Sequence, residues 1–119
     1  MTRIVLNALA IAVCAWAPAI AADVPTPGSV FVENCSICHG VDGRGPTNPD
    51  YDGPMLVDNA FIKARTDAAL LEFLKQGRKP DAPDSQMHIL MPAFDSIGDQ
   101  QLRMIVQFLR QLNGDGASH

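Results

Sequence analysis

The chain predicts an all-α domain, on three observations. The last stretch before the C-terminus repeats apolar residues with a helical period: Leu102, Ile105, Val106, Leu109 and Leu112 fall at i, i+3, i+4, i+7 spacing. Thr26-Pro27 and Thr66-Asp67 place a hydroxyl cap before a helical first position. No segment alternates apolar and polar residues with period two, the pattern of a half-buried strand.

Each element follows in order. The first helix starts at Thr26-Pro27 and runs through Val30, Phe31 and Asn34 to His39, where Gly40, Gly43 and Gly45 end it. From Gly40 to Pro54 the chain is rich in Gly, Pro, Asp and Asn and reads as loop. A short helical piece fits around Asp58–Ala64. Thr66 then caps a helix from Asp67 to Gln76 that Gly77 stops, with Leu70, Leu71 and Leu74 on one stripe. Residues 78–86 are polar, carry Pro80 and Pro83, and read as an exposed loop. The last helix runs from Asp99 to Leu112, closed by Asn113-Gly114, with Gln101, Arg103, Gln107, Arg110 and Gln111 on its polar face.

Residues 1–22 read as a secretory leader. Arg3 supplies a short positive start, an apolar run from Ile4 to Trp16 follows, and Pro18 leads into the small-x-small Ala19-Ile20-Ala21. Cleavage after Ala21 and after Ala22 fit equally well. The run is short for a membrane span and Pro18 breaks it, which speaks against a retained anchor. Bulky Val13 before Cys14 speaks against lipid attachment there. Residues 23–119 then form one small domain, and a chain of this size buries only a marginal core unaided. The processed domain holds eight Lys and Arg against thirteen Asp and Glu, a net charge near −5. Such a surface disfavours nucleic acid, which needs a basic one. It suits either plain solubility or steering toward a basic partner.

The chemistry lies in Cys35-Ser36-Ile37-Cys38-His39, a C-x-x-C-H run. Two thiols one helical turn apart can add to the two vinyl groups of a porphyrin, and the next imidazole then meets the iron. A dithiol redox motif would want a strand before it in an alternating β/α chain, and none is seen. A zinc site would want two further ligands at matching spacing; the third cysteine, Cys14, lies in the leader, and His88 and His119 do not pair. One covalently bound haem c on Cys35 and Cys38, with His39 as metal ligand, is the expected cofactor. Export agrees, because such haem is attached outside the cytoplasm in bacteria.

The iron needs a sixth ligand or an open site. Met55, Met87, Met91, Met104 and His88 are available. Met104 sits beside the apolar stripe of the last helix and reads as packing. Met55, sixteen residues past His39, reads as pocket lining. Met91 is the preferred ligand, with His88 and Met87 kept as alternatives. Pro92 holds Met91 extended, and 52 residues separate it from His39, enough chain to pass from one haem face to the other.

On Cys35-x-x-Cys38-His39, Gly53-Pro54-Met55-Leu56, Met91-Pro92-Ala93-Phe94 and a terminal helix with Phe108-Leu109, the chain resembles the class I (small, soluble, single-haem) cytochromes c of the bacterial periplasm. The match covers nearly all of residues 26–112. The resemblance implies a fold whose N- and C-terminal helices pack around one haem. It implies that the Pro54 carbonyl holds Nδ1–H of the haem histidine, and that Phe31 and Phe108 join the two helices, with Gly28 one residue off the usual spacing. Some relatives hold a haem propionate with tryptophan; here the only Trp, Trp16, is in the leader, and Tyr51, Arg44, Arg78 and Lys79 are the alternatives.

The function expected is electron transfer in the periplasm, not catalysis, with Ile37 and Val41 near the exposed haem edge. A dehydrogenase as donor and an oxidase or another cytochrome as acceptor would be the partners. A permanent haem subunit of such a complex, and a five-coordinate sensor or peroxidase, are the competing readings.

Overall fold

The computed structural model describes residues 14–18 and 23–114. Most of the expected leader, its cleavage site and His119 lie outside the described residues. Cys14–Pro18 are exposed and without regular structure. Four helices follow: α1 (Pro27–His39), α2 (Ala60–Lys63), α3 (Asp67–Gln76) and α4 (Asp99–Asn113), with a 3-10 turn at Asp95–Ile97 before α4. Among the described residues there is no strand, only a two-residue antiparallel bridge between Arg78 and Met91. The domain is all-α.

The helices begin and end where local chemistry directs. Thr26 accepts from the Ser29 backbone, and the Ser29 hydroxyl oxygen in turn accepts from the Thr26 N–H, a reciprocal cap with Pro27 at the first helical position. Thr66 caps α3 through the Ala69 N–H at 3.2 Å, and Gly77 closes it. The short helix is tighter than expected. Asn59, not Asp58, accepts from Ile62 N–H, while Asp58 stands outside with a left-handed φ of 51° and pairs with Lys63.

The core lies where α1, α3 and α4 meet. Val30, Phe31, Leu70, Leu74, Leu102, Ile105, Val106 and Leu109 are buried, while Leu71 and Leu112 are half-buried. Phe31 and Phe108 join α1 to α4 with ring centroids 4.6 Å apart. Gly28 packs on the same ring: a methyl added there would sit 3.6 Å from Phe108. The off-register glycine therefore still makes the helix–helix contact.

Two side chains of α4 turn inward, although Arg110 falls on the polar face and Asn113 at the helix end. Arg110 is only 12% exposed. Its Nε donates to Asp67 at 2.8 Å, and its terminal nitrogens donate to the Ile62 and Arg65 carbonyls, tying α2 and α3 to α4. Asn113 donates to the Leu56 carbonyl at 2.9 Å and accepts from Asn59 N–H at 2.7 Å, which pins the loop entering α2. Arg110→Ala strands a carboxylate and two carbonyls together. It should cost about 2–3 kcal/mol of stability, a fall of roughly 10–20 °C in Tm for a domain of this size, with the visible spectrum of the folded protein unchanged.

Candidate functional site

The C-terminal half of α1 carries the three motif residues on consecutive turns. Cys35 and His39 are buried and Cys38 is half-buried, so an i, i+3, i+4 set lines one side of a cleft. Both thiols are free of disulfide. Burial, reinforced by the neighbouring Cys38, pushes the Cys35 thiol up to about 12. Burial likewise lowers the His39 imidazole, against the opposing pull of its backbone hydrogen bond. Both groups therefore sit neutral at pH 7, and neutral imidazole is the form that ligates a metal.

The loop after α1 folds back beneath His39. Its Nδ1–H donates to the Pro54 carbonyl at 2.9 Å, leaving Nε2 as the nitrogen open to a metal. The close return depends on Gly53: a methyl there would overlap the Cys38 carbonyl oxygen.

The opposing chain is the segment around Met91. The Met91 N–H donates to the Arg78 carbonyl at 2.9 Å and the Arg78 N–H to the Met91 carbonyl at 2.8 Å. Phe94 N–H donates to the Leu74 carbonyl at 2.9 Å, so the end of α3 grips the segment twice. Gly77, at a φ of 68°, makes room, because a side chain there would drive into the Met91 and Pro92 backbone. Pro92 and this bridge together hold Met91 extended.

Between these walls the cleft forms two adjoining cavities, both open to solvent. Cys35, His39, Pro54 and Met91 line both. The deeper one runs between Phe31, Leu70, Leu74, Ile105 and Leu109, so the core itself forms its floor. A largely apolar slot, with two thiols and an imidazole on one side and a thioether on the other, fits an iron porphyrin in donor chemistry. Zinc fits poorly: among the described residues no three His, Cys, Asp or Glu cluster to hold a metal.

The other expected ligands are placed differently. Met55 is 53% exposed and lines neither cavity, so it is not pocket lining; the turn that brings the Pro54 carbonyl to His39 leaves its side chain outward. His88 also lines neither. It is exposed, has a left-handed φ of 55°, and its Nδ1–H donates to the Pro80 carbonyl at 3.2 Å. Met87 reaches the outer cavity only, and Met104 packs on the core.

This fold and slot define a small c-type haem protein. The profile of the cytochrome c family matches residues 27–113, and the chain belongs to that family. Covalent c-type haem and haem-based electron transfer come with membership. The chain is 43% identical over 49 residues to the Cbb3-type cytochrome c oxidase subunit FixP of Bradyrhizobium diazoefficiens, covering 41% of this chain and 16% of that one. It is 34% identical over 86 residues to the subunit FixPc of Rhizobium leguminosarum bv. viciae, covering 71% and 26%. The chain thus spans about a quarter or less of the length of these curated relatives. A solved structure, the KustC0563 c-type cytochrome, superposes with a TM-score of 0.52 at 16% identity, over 75% of this chain and 99% of its own, and shares the fold.

Proposed function

We propose that the chain is a periplasmic single-haem electron carrier with His39/Met91 axial ligation. The observation that carries this is the shared cleft, with Cys35, Cys38 and His39 on α1 and Met91 on the facing segment. When bound, the haem supplies one-electron chemistry at its iron. Cys35 and Cys38 hold it through thioether bonds. The Pro54 carbonyl keeps the proton on Nδ1 of His39, so that Nε2 presents its lone pair and the ring cannot turn. The Met91 thioether, soft and weakly donating, would favour the ferrous state and raise the potential. It would also shield the iron from oxygen and small molecules. No distal acid or base is needed for this chemistry.

Electrons would cross at the cleft mouth, where Ile37, Met87, Ile89 and Leu90 line the outer cavity and are exposed. Val41 is exposed as well. A small apolar patch on an acidic domain suits a brief redox encounter. No helix among the described residues is long and apolar enough to cross a membrane. Removal of residues 1–22 after Ala21 or Ala22 would release the domain into the periplasm, between a dehydrogenase and a terminal oxidase or another cytochrome.

The FixP relatives, which are oxidase subunits, favour a second reading, a permanent subunit of an oxidase. Co-purification with an oxidase through a high-salt wash would select it; recovery as a free monomer would select the carrier.

The test of the ligation is a visible and near-infrared spectrum of the exported, haem-loaded protein. A low-spin spectrum with a sulfur-to-iron charge-transfer band, indifferent to carbon monoxide, is expected. A high-spin spectrum that shifts with carbon monoxide would mean an open iron and would replace the carrier with a ligand-binding or catalytic protein.

A further inference from the structure

Arg78 is one of four side chains, with Tyr51, Arg44 and Lys79, that could meet the haem carboxylates, and residues 78–86 read as an exposed loop. The structure instead turns Arg78 inward. Its side chain is 14% exposed and lines both cavities of the cleft. The guanidinium carbon lies 4.6 Å from the Phe61 ring centre and 4.8 Å from that of Phe73. One terminal nitrogen donates to Asp84 at 3.1 Å, and Asp84 is itself half in solvent. Nε is buried and has no hydrogen-bond partner, the only buried side-chain nitrogen or oxygen so placed among the described residues.

That orphan is informative. A buried cation with an unmet N–H is a costly arrangement unless an acceptor completes it. A second guanidinium, that of Arg65, already stands 3.3 Å from the Phe61 ring centre, so the ring cannot balance the charge of Arg78 alone. The slot that Arg78 faces is mostly apolar, and the polar side chains that share it, Gln86 among them, are neutral and make no hydrogen bond to Nε. The occupant of that slot carries two anionic groups, the porphyrin carboxylates, and these are the acceptors that match an arginine N–H.

We propose that Arg78 is a positioning residue that joins the haem to the Met91 segment: its Nε–H donates to a porphyrin carboxylate while its main chain holds Met91 in place. The inference rests on the haem-carrier reading. One residue would thereby help to place both the porphyrin and the Met91 segment. Its planar fork suits the task better than an ammonium would.

The test uses the haem-loaded, exported protein labelled with nitrogen-15 on arginine. The Arg78 Nε–H resonance should exchange slowly with solvent and shift between the ferric and ferrous states. Arg78→Met keeps an unbranched stem against Phe61 and Phe73 and leaves the main-chain bridge intact. It should keep the sulfur-to-iron band while shifting the electron-transfer equilibrium about tenfold toward the ferric state, ~59 mV for one electron. A fast-exchanging Nε–H that ignores the redox state, or an unchanged potential in Arg78→Met, would overturn the proposal. Failure of the underlying reading is separately visible, because the wild-type protein itself would then lack the band.

Discussion

Replacing both Cys35 and Cys38 with alanine is expected to abolish covalent haem and leave a largely unfolded chain. The argument starts from size. A domain of about a hundred residues has a thin margin between burial and chain entropy. Here the floor of the haem slot and the hydrophobic core are the same side chains: Phe31, Leu70, Leu74, Ile105 and Leu109 belong to both. Without the porphyrin these residues line an open slot and have no packing partner on that side. The double variant should lose roughly half or more of its helical circular dichroism at 37 °C, as small scaffolds do without their staple. The cysteines themselves pack little that alanine cannot replace, since Cys38 is half-buried and only Cys35 is fully enclosed. A double variant with full helical signal and a cooperative melt would show that the protein core suffices alone.

Local signals made the helices legible, and long-range ones did not. The bounds of α3 coincide with Thr66 and Gly77, because a cap and a stop act within four residues. The 3-10 turn at Asp95–Ile97 has no side-chain cap, and nothing in three residues announces it. Arg110 and Asn113 read as surface and terminus because helix periodicity records only apolar faces. A long guanidinium at the edge of the stripe can still turn inward, as Arg110 does toward Asp67 across 43 positions of sequence.

The site divides in the same way. Cys35, Cys38 and His39 are neighbours in sequence, so their common wall follows from helix geometry. The approach of Met91 to that wall depends on residues the sequence leaves silent: Gly77 for clearance and the Arg78 main chain for two hydrogen bonds. Met55 shows the converse. Adjacent to Pro54, it reads as pocket lining, yet the turn that brings the Pro54 carbonyl to His39 leaves it exposed and outside both cavities. Proximity in sequence speaks to where the segment lies, not to where a side chain on it points.

Met91→Ala should open the iron and lower the potential. The segment is held by the Arg78 bridge, the Phe94–Leu74 bond and Pro92, none of which needs the Met91 side chain. The backbone should therefore stay in place, and the loss should be confined to the thioether. Three consequences separate this from general damage. The sulfur-to-iron band vanishes, carbon monoxide binds the reduced protein, and the potential falls because the ferrous state loses its soft ligand. Stability should drop by about 2 kcal/mol, the low end for a methionine truncation, since Met91 is only half-buried. Neither substitute ligand is poised to intervene: His88 donates to the Pro80 carbonyl away from the slot, and Met87 reaches only its outer part. Met87→Ala and His88→Ala should accordingly keep the wild-type spectrum. A Met91→Ala protein that retains the band and excludes carbon monoxide would transfer the axial role to Met87, the other thioether lining the cleft.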